Sequence, residues 1–154
     1  MRIVLDDLQD PEVIAFLEDH VAQLRSLSPP ESTHTLDLDG LRAPGVRFWV
    51  ALDDDDDGDV VGCAALKTLD DTHAELKSMR TAADRTREGI ASRLVQHVLD
   101  EARSAGFTRI SLETGAEDFF APARGLYERQ GFSYCEPFGS YRPDPLSVFL
   151  TRTL

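Results

Sequence analysis

Arg85-Thr86-Arg87-Glu88-Gly89-Ile90-Ala91 lies between two segments of different periodicity. Upstream, residues 73–81 read as a strand. Downstream, Ile90, Leu94, Val98 and Ala102 recur every fourth residue and line one face of a helix. A strand, a short loop with two arginines and a glycine, then a helix start is a physical recipe for holding phosphates. The first turn of a helix has unpaired N–H groups and a partial positive charge. Gly89 carries no Cβ and lets the backbone approach a ligand closely. Helices also begin with glycine for reasons unrelated to ligands, so this loop alone leaves both readings open.

Working outward, the strand that feeds the loop has a broken alternation. Ala74 and Leu76 share one face, but in strict period two Met79 and Thr81 fall on the other. An extra residue near Lys77-Ser78 would return Leu76, Met79 and Thr81 to one side, which predicts a β-bulge that bends the strand and frees backbone groups for a ligand. Before it, Val46–Leu52 and Val60–Leu66 predict an antiparallel hairpin across the acidic turn Asp53–Asp57, with Gly58 at its bend. After the central helix, Gly106 suits the position just past a helix end. Thr108–Glu113 is the next strand, so strand–helix–strand predicts a parallel crossover.

Towards the N-terminus, Arg2–Leu5 is a strand candidate. Asp10-Pro11 opens a helix with Asp as N-cap and an apolar stripe of Val13, Leu17, Val21 and Leu24, and Pro29-Pro30 stops it. The polar stretch Glu31–Gly45 holds His34, Asp37 and Asp39, with a short helical turn around Leu36–Leu41. Towards the C-terminus, Phe119–Gln130 reads as a helix carrying Ala123, Leu126, Tyr127 and Gln130 on one side, ended by Gly131. Phe132–Glu136 and Ser147–Thr153 are strands joined by the proline-rich loop Pro137–Pro145. The seven candidate strands and their helices predict one mixed α/β domain over residues 1–154.

The 154 residues suffice for a single core, and the 42% hydrophobic and 29% charged content are ordinary for a globular domain. A net charge of −12 argues against a nucleic-acid partner and favours a cationic one. With no signal-peptide pattern and no apolar run of membrane-spanning length, a cytoplasmic location without membrane contact is the expectation. Cys63 and Cys135 make no metal or redox spacing, and Cys63 reads as a core residue. His20, His73 and His97 receive no role, and no metal site is expected.

Two motifs carry a family resemblance. Thr86-Arg87-Glu88-Gly89-Ile90-Ala91 occupies the positions of a cofactor signature written Arg/Gln-x-x-Gly-x-Gly/Ala. Ala123-Arg124-Gly125-Leu126-Tyr127-Glu128-Arg129-Gln130-Gly131-Phe132 matches a second, Ala-x-x-Leu-Tyr-x-x-x-Gly-Phe, at the right distance. With a strand between them, the chain resembles the GNAT acetyltransferase superfamily along its whole length, and Phe119-Phe120-Ala121-Pro122-Ala123-Arg124 with the tail Phe138-Gly139-Ser140-Tyr141-Arg142-Pro143-Asp144-Pro145 resembles a bacterial subgroup of its small members. The resemblance implies a mixed, mostly antiparallel sheet with a bulged central strand, acetyl-CoA as co-substrate and an amine as acceptor. Two positions depart from the pattern. Thr86 stands where Arg or Gln is usual, and Phe120 stands where many members carry an Asn that bonds the cofactor arm.

By that resemblance the cofactor would be held by the backbone at Met79, Arg80 and Thr81 and by Thr86, Arg87, Glu88, Gly89, Ile90, Ala91 and Ser92, with Arg85 as a further cation. Tyr127 would protonate the departing thiolate, and without the family it reads as an ordinary core tyrosine. Glu75 matches a position used as general base; otherwise it is a solvated strand glutamate. His34 and Asp37, in the loop after the first helix, fall where the acceptor would bind. The implied partner is a small-molecule or peptidyl amine, cationic in solution, and a homodimer is compatible with the family. The alternative reading is a non-catalytic acyl-CoA-binding sensor, for which Thr86 and Phe120 speak. A nucleotide-binding domain is disfavoured, because neither Gly-x-Gly-x-x-Gly nor a lysine-containing P-loop is present.

Overall fold

The computed structural model describes residues 1–27, 38–54, 58–85 and 89–154, with the side chains of residues 20, 21, 23–27 and 83 outside that description. The strands are β1 (Arg2–Leu5), β2 (Val46–Leu52), β3 (Val60–Thr68), β4 (His73–Thr81), β5 (Arg109–Gly115), β6 (Ser133–Cys135) and β7 (Ser147–Thr153). The helices are α1 (Pro11–Leu27), α2 (Leu38–Leu41), α3 (Ile90–Ser104) and α4 (Ala121–Arg129). The seven strands form one sheet in the order β1-β2-β3-β4-β5-β7-β6. Every neighbouring pair is antiparallel except β4 and β5, the pair that α3 connects. This is the mixed, mostly antiparallel α/β domain that the sequence predicts.

Local chemistry sets the element ends. The Asp10 carboxylate accepts the N–H of Glu12 at 2.9 Å and caps α1, which opens on Pro11. Residues 118–120 form a separate 3-10 turn, so the helix expected from Phe119 starts instead at Ala121, beside Pro122. β6 is shorter than expected because Phe132 turns into the core.

The two faces of the sheet differ. On one, Leu94, Val95, Val98 and Leu99 of α3 and Tyr127 of α4 pack with Ala64, Leu66, Ala74, Leu76, Ile110, Leu112 and Leu150. On the other, Leu8, Val13, Leu17 and Leu41 cover only the β2–β3 half, over Phe48, Val50, Cys63 and Ala65. The β4–β5–β7 half of that second face carries Glu75, Ser111, Glu113 and Thr151 in register.

The bulge falls where the broken alternation places it. Ala65 pairs with Lys77 and Cys63 with Arg80, so Ser78 and Met79 together oppose Ala64. Ser78 adopts φ +54°, and its carbonyl accepts the Cys63 thiol at 3.1 Å. Leu76 and Met79 both face α3, and Thr81 pairs with Gly62. β4 stays paired with β3 as far as Thr81, but it meets β5 only at His73↔Arg109, Ala74↔Ile110 and Glu75↔Ser111. Beyond Glu75 the two strands part.

α3 sits tightly on the sheet next to this opening. A Cβ built on Gly62 would lie 2.8 Å from Leu94 Cδ1, 3.0 Å from the Arg80 carbonyl and 3.1 Å from Ile90 Cγ2. Gly62→Ala is therefore expected to destabilise the fold by about 1–3 kcal/mol through overpacking, measured by chemical denaturation. A variant as stable as the parent would show that α3 is free to move away from β3.

Candidate active site

The opening between β4 and β5 faces the start of α3. Gly89 precedes that helix with φ +80° and ψ 8°, no side chain caps it, and no acidic residue lies in the first turn. Left-handed backbone of this kind suits glycine and costs most other residues ~1–2 kcal/mol. A Cβ on Gly89 would meet nothing within 4 Å among the described residues, so conformation rather than crowding requires the glycine. The leading N–H groups of a helix have no partner within it. They form an anion-seeking end at the start of α3, the helix that packs on the part of β4 no longer paired with β5. These groups fit a ligand that combines an extended amide arm with phosphates.

The structure brings together several residues singled out from sequence. Met79, Arg80 and Thr81 close β4, and Ile90, Ala91 and Ser92 open α3. Met79 packs against the cluster that contains Ile90 and Tyr127. Ile90 is buried, so it has only its backbone to offer a ligand. Arg80 pairs with Cys63 and carries its side chain among Cys63 and Asp19, towards the other face, so it too offers backbone here. The Ser92 hydroxyl accepts the Gln130 amide at 2.8 Å, tying α4 to the first turn of α3. Thr86, Arg87, Glu88, His34 and Asp37 lie outside the described residues, while Asp39 is exposed on α2.

Arg85 is bonded and ion-paired to Asp53, not presented as a bare cation, and Asp54 pairs with the Met1 ammonium. The acidic turn therefore begins beside the glycine loop. The Phe120 ring packs onto Gly115, where a Cβ would stand only 2.1 Å from the ring. Arg124 donates to the Gly115 and Glu117 carbonyls at 2.7 and 2.9 Å and holds that turn.

Glu75 sits where the paired part of β4 ends, and it is 3% exposed, so it is no solvated strand glutamate. Tyr141, from the loop between β6 and β7, donates its hydroxyl to Glu75 Oε2 at 2.5 Å. Burial, followed by the negative field of Glu75, pushes the Tyr141 phenol well above its usual range. Beside Glu75, Ser111 Oγ lies 2.6 Å from His73 Nε2 and 2.9 Å from Thr151 Oγ1. Burial lowers the affinity of His73 for a proton, against the pull of Asp70, which keeps the ring neutral at pH 7. Glu113 accepts the Ser147 hydroxyl at 3.1 Å.

Tyr127 approaches from the other face, 6% exposed, with its ring edge-on to Phe132 at 5.9 Å. Burial first and Glu113 second raise its pKa well above that of a free phenol. It remains a proton donor throughout the neutral and alkaline range. Among the described residues no cluster of metal-ligating side chains occurs.

Sequence reasoning missed Tyr141, Glu113, Ser111 and His73. A signal for three of them exists in period two, since 73 and 75 on one strand and 111 and 113 on the next share a face once the strands are placed side by side. Tyr141 lies in the tail of residues 138–145 that resembles the bacterial subgroup, but only the folded loop carries it to Glu75.

The sequence model described as the Acetyltransferase (GNAT) family matches residues 12–132. YsnE, an uncharacterised N-acetyltransferase of Bacillus subtilis (strain 168), is 47% identical over 154 residues, all of both chains. YedL, an uncharacterised N-acetyltransferase of Escherichia coli (strain K12), is 45% identical over 99% of this chain and 94% of its own. The crystal structure of a Klebsiella pneumoniae protein described as an acyl-CoA N-acyltransferase superposes with a TM-score of 0.80 at 25% identity, covering 99% of this chain and 97% of that one.

Gly89→Val places a β-branched residue in left-handed backbone at the helix start. Coenzyme A binding is expected to weaken about tenfold, the equivalent of ~1.4 kcal/mol, in a calorimetric titration. Unchanged affinity would remove the start of α3 from the binding site.

Proposed function

The chain belongs to the GNAT acetyltransferase family, and from that premise we propose that it moves the acetyl group of acetyl-CoA to a primary amine of a small molecule or peptide by direct attack. Tyr127 is the general acid in this reading and Glu75 the general base. The observation that supports it most is convergence. Pairing of β4 with β5 stops at the buried carboxylate of Glu75, α3 starts on Gly89, and the buried phenol of Tyr127 belongs to the same cluster as Ile90, against which Met79 packs.

The pantetheine arm pairs with the backbone at Met79–Thr81, and the phosphates lie at Gly89–Ser92, with Thr86, Arg87 and Glu88 completing that loop. Acetyl-CoA supplies an activated acyl thioester. Glu75, directly or through a water, takes one proton from the acceptor's ammonium, and the neutral amine then attacks the carbonyl carbon. As the carbon–sulfur bond breaks, the nitrogen releases its second proton to solvent to become the amide, while Tyr127 gives its proton to the sulfur and recovers one from solvent. Burial keeps the phenol protonated until the transfer, and it also makes the phenol a weaker acid than a free one, so the transfer relies on the closeness of the sulfur. Asp37 and His34 are assigned to the acceptor side, together with the field of a chain of net charge −12.

Free-thiol release from acetyl-CoA across a panel of polyamines, amino acids, aminoglycosides and peptides tests this function. Binding without release on every acceptor would favour the sensor reading instead. Tyr127→Phe keeps the ring packing and is expected to leave coenzyme A affinity intact while turnover falls ~10²-fold or more. An unchanged turnover number would remove Tyr127 from the mechanism.

A cationic acceptor steered by fixed carboxylates should also lose affinity with salt. Screening at ionic strengths with a Debye length of ~8 Å or less should raise its KM, while that of acetyl-CoA rises less or falls. An acceptor KM indifferent to salt, or a preferred anionic acceptor, would rule the steering out.

A further inference from the structure

Glu75 is a buried carboxylate whose two oxygens are treated differently. Oε2 accepts the Tyr141 hydroxyl at 2.5 Å, while Oε1 is not among the buried side-chain atoms left without a partner in the described residues and so is open to a further donor. An ionised carboxylate at 3% exposure needs donors to offset its lost hydration, and a charged group makes that bond stronger than a neutral pair would. The tyrosine is itself held firmly. Its ring is edge-on to Phe138 at 5.2 Å and to Phe149 at 5.5 Å, and Phe138 also packs on His73 and Phe149. The loop behind it is built rather than slack. The Tyr141 N–H bonds the Phe138 carbonyl at 3.1 Å, Asp144 Oδ1 accepts the Leu146 N–H at 2.8 Å, and the Leu146 carbonyl takes the Ala116 N–H at 3.0 Å.

We propose that Tyr141 is a positioning residue for the acetyl transfer: its hydroxyl clamps Glu75 Oε2, fixes the plane of the carboxylate and leaves Oε1 as the oxygen that receives the acceptor's proton. The residue 137–146 loop is thereby one wall of the acceptor site, a role the two signature motifs do not touch. This rests on Glu75 being the base. A bond donated to a carboxylate favours the charged form over the neutral one, which gives the clamp a readout in the pH response of the carboxyl carbon. The other charged or titratable groups around it are His73 and Lys77 on β4, Lys67 opposite on β3, Arg109 and Glu113 on β5, and Tyr127 on α4.

The test needs no knowledge of the acceptor. The carboxyl carbon of Glu75 is followed by NMR against pH in the full chain labelled with ¹³C-glutamate, its signal assigned by its loss in Glu75→Gln. In Tyr141→Phe, which keeps the ring and its packing, the midpoint is expected to move up by about one to two pH units, the scale of one hydrogen bond to a charged group. In Phe149→Leu, which disturbs the same aromatic cluster but keeps the hydroxyl, it is expected to stay. An unmoved midpoint in Tyr141→Phe overturns the proposal. So does an equal shift in Phe149→Leu, because packing and not the hydroxyl would then be what holds the carboxylate. If Glu75→Gln still turns over, Glu75 is not the base, and that failure is read independently of the midpoints.

Discussion

One surplus residue in β4 governs the molecule. Because Ser78 and Met79 together oppose Ala64, the strand bends at the middle of the sheet while the positive φ of Ser78 is held by the Cys63 thiol on its carbonyl. The bend has two consequences. It keeps Leu76 and Met79 both on the α3 side, so the apolar core is unbroken. It also ends pairing with β5 at Glu75, and a strand that has lost its neighbour presents N–H and C=O groups that some other chain-like ligand can satisfy. Cys63 pays no reactivity into this arrangement, since burial lifts its thiol to about 12 and leaves it a protonated donor.

The second face of the sheet shows how the same bend separates stability from chemistry. Over β2 and β3, described residues of α1 and α2 cover that face with an apolar cluster. Over β4, β5 and β7 it carries carboxylates, hydroxyls and an imidazole, and the cover is a loop rather than a helix. Polar groups at this depth are tolerable because they bond one another, and they lie where the parallel pairing stops. The buried polar cluster and the end of β4–β5 pairing thus lie at the same place in the sheet.

The fold was legible because its signals are local. Period-four apolar residues marked α3, Asp10-Pro11 marked the start of α1, and the slip between Leu76 and Met79 marked the bulge. The glycine start of α3 was legible for the same reason, since Gly89 and the first turn are consecutive. The polar cluster around Glu75 was not. The Glu75–Tyr141 bond spans 66 residues and the His73–Ser111 bond 38, so neither has a sequence signature. Electrostatic partners were hidden likewise: Arg85 reads as a free cation in a basic loop, and only the fold returns Asp53 to it.

The central claim is that the edge of β4 beyond Glu75 is the slot for the acetyl-CoA arm. Amide hydrogen exchange of residues 76–81, with and without saturating acetyl-CoA, tests it most directly, because the claim concerns backbone N–H groups and no side chain need be altered. The account predicts that amides in this segment facing β5 exchange quickly in the free protein and become protected when acetyl-CoA is bound, while those already paired with β3 change little. Binding that leaves the whole segment unprotected, or that protects β1 or β6 at the sheet edges instead, would contradict it.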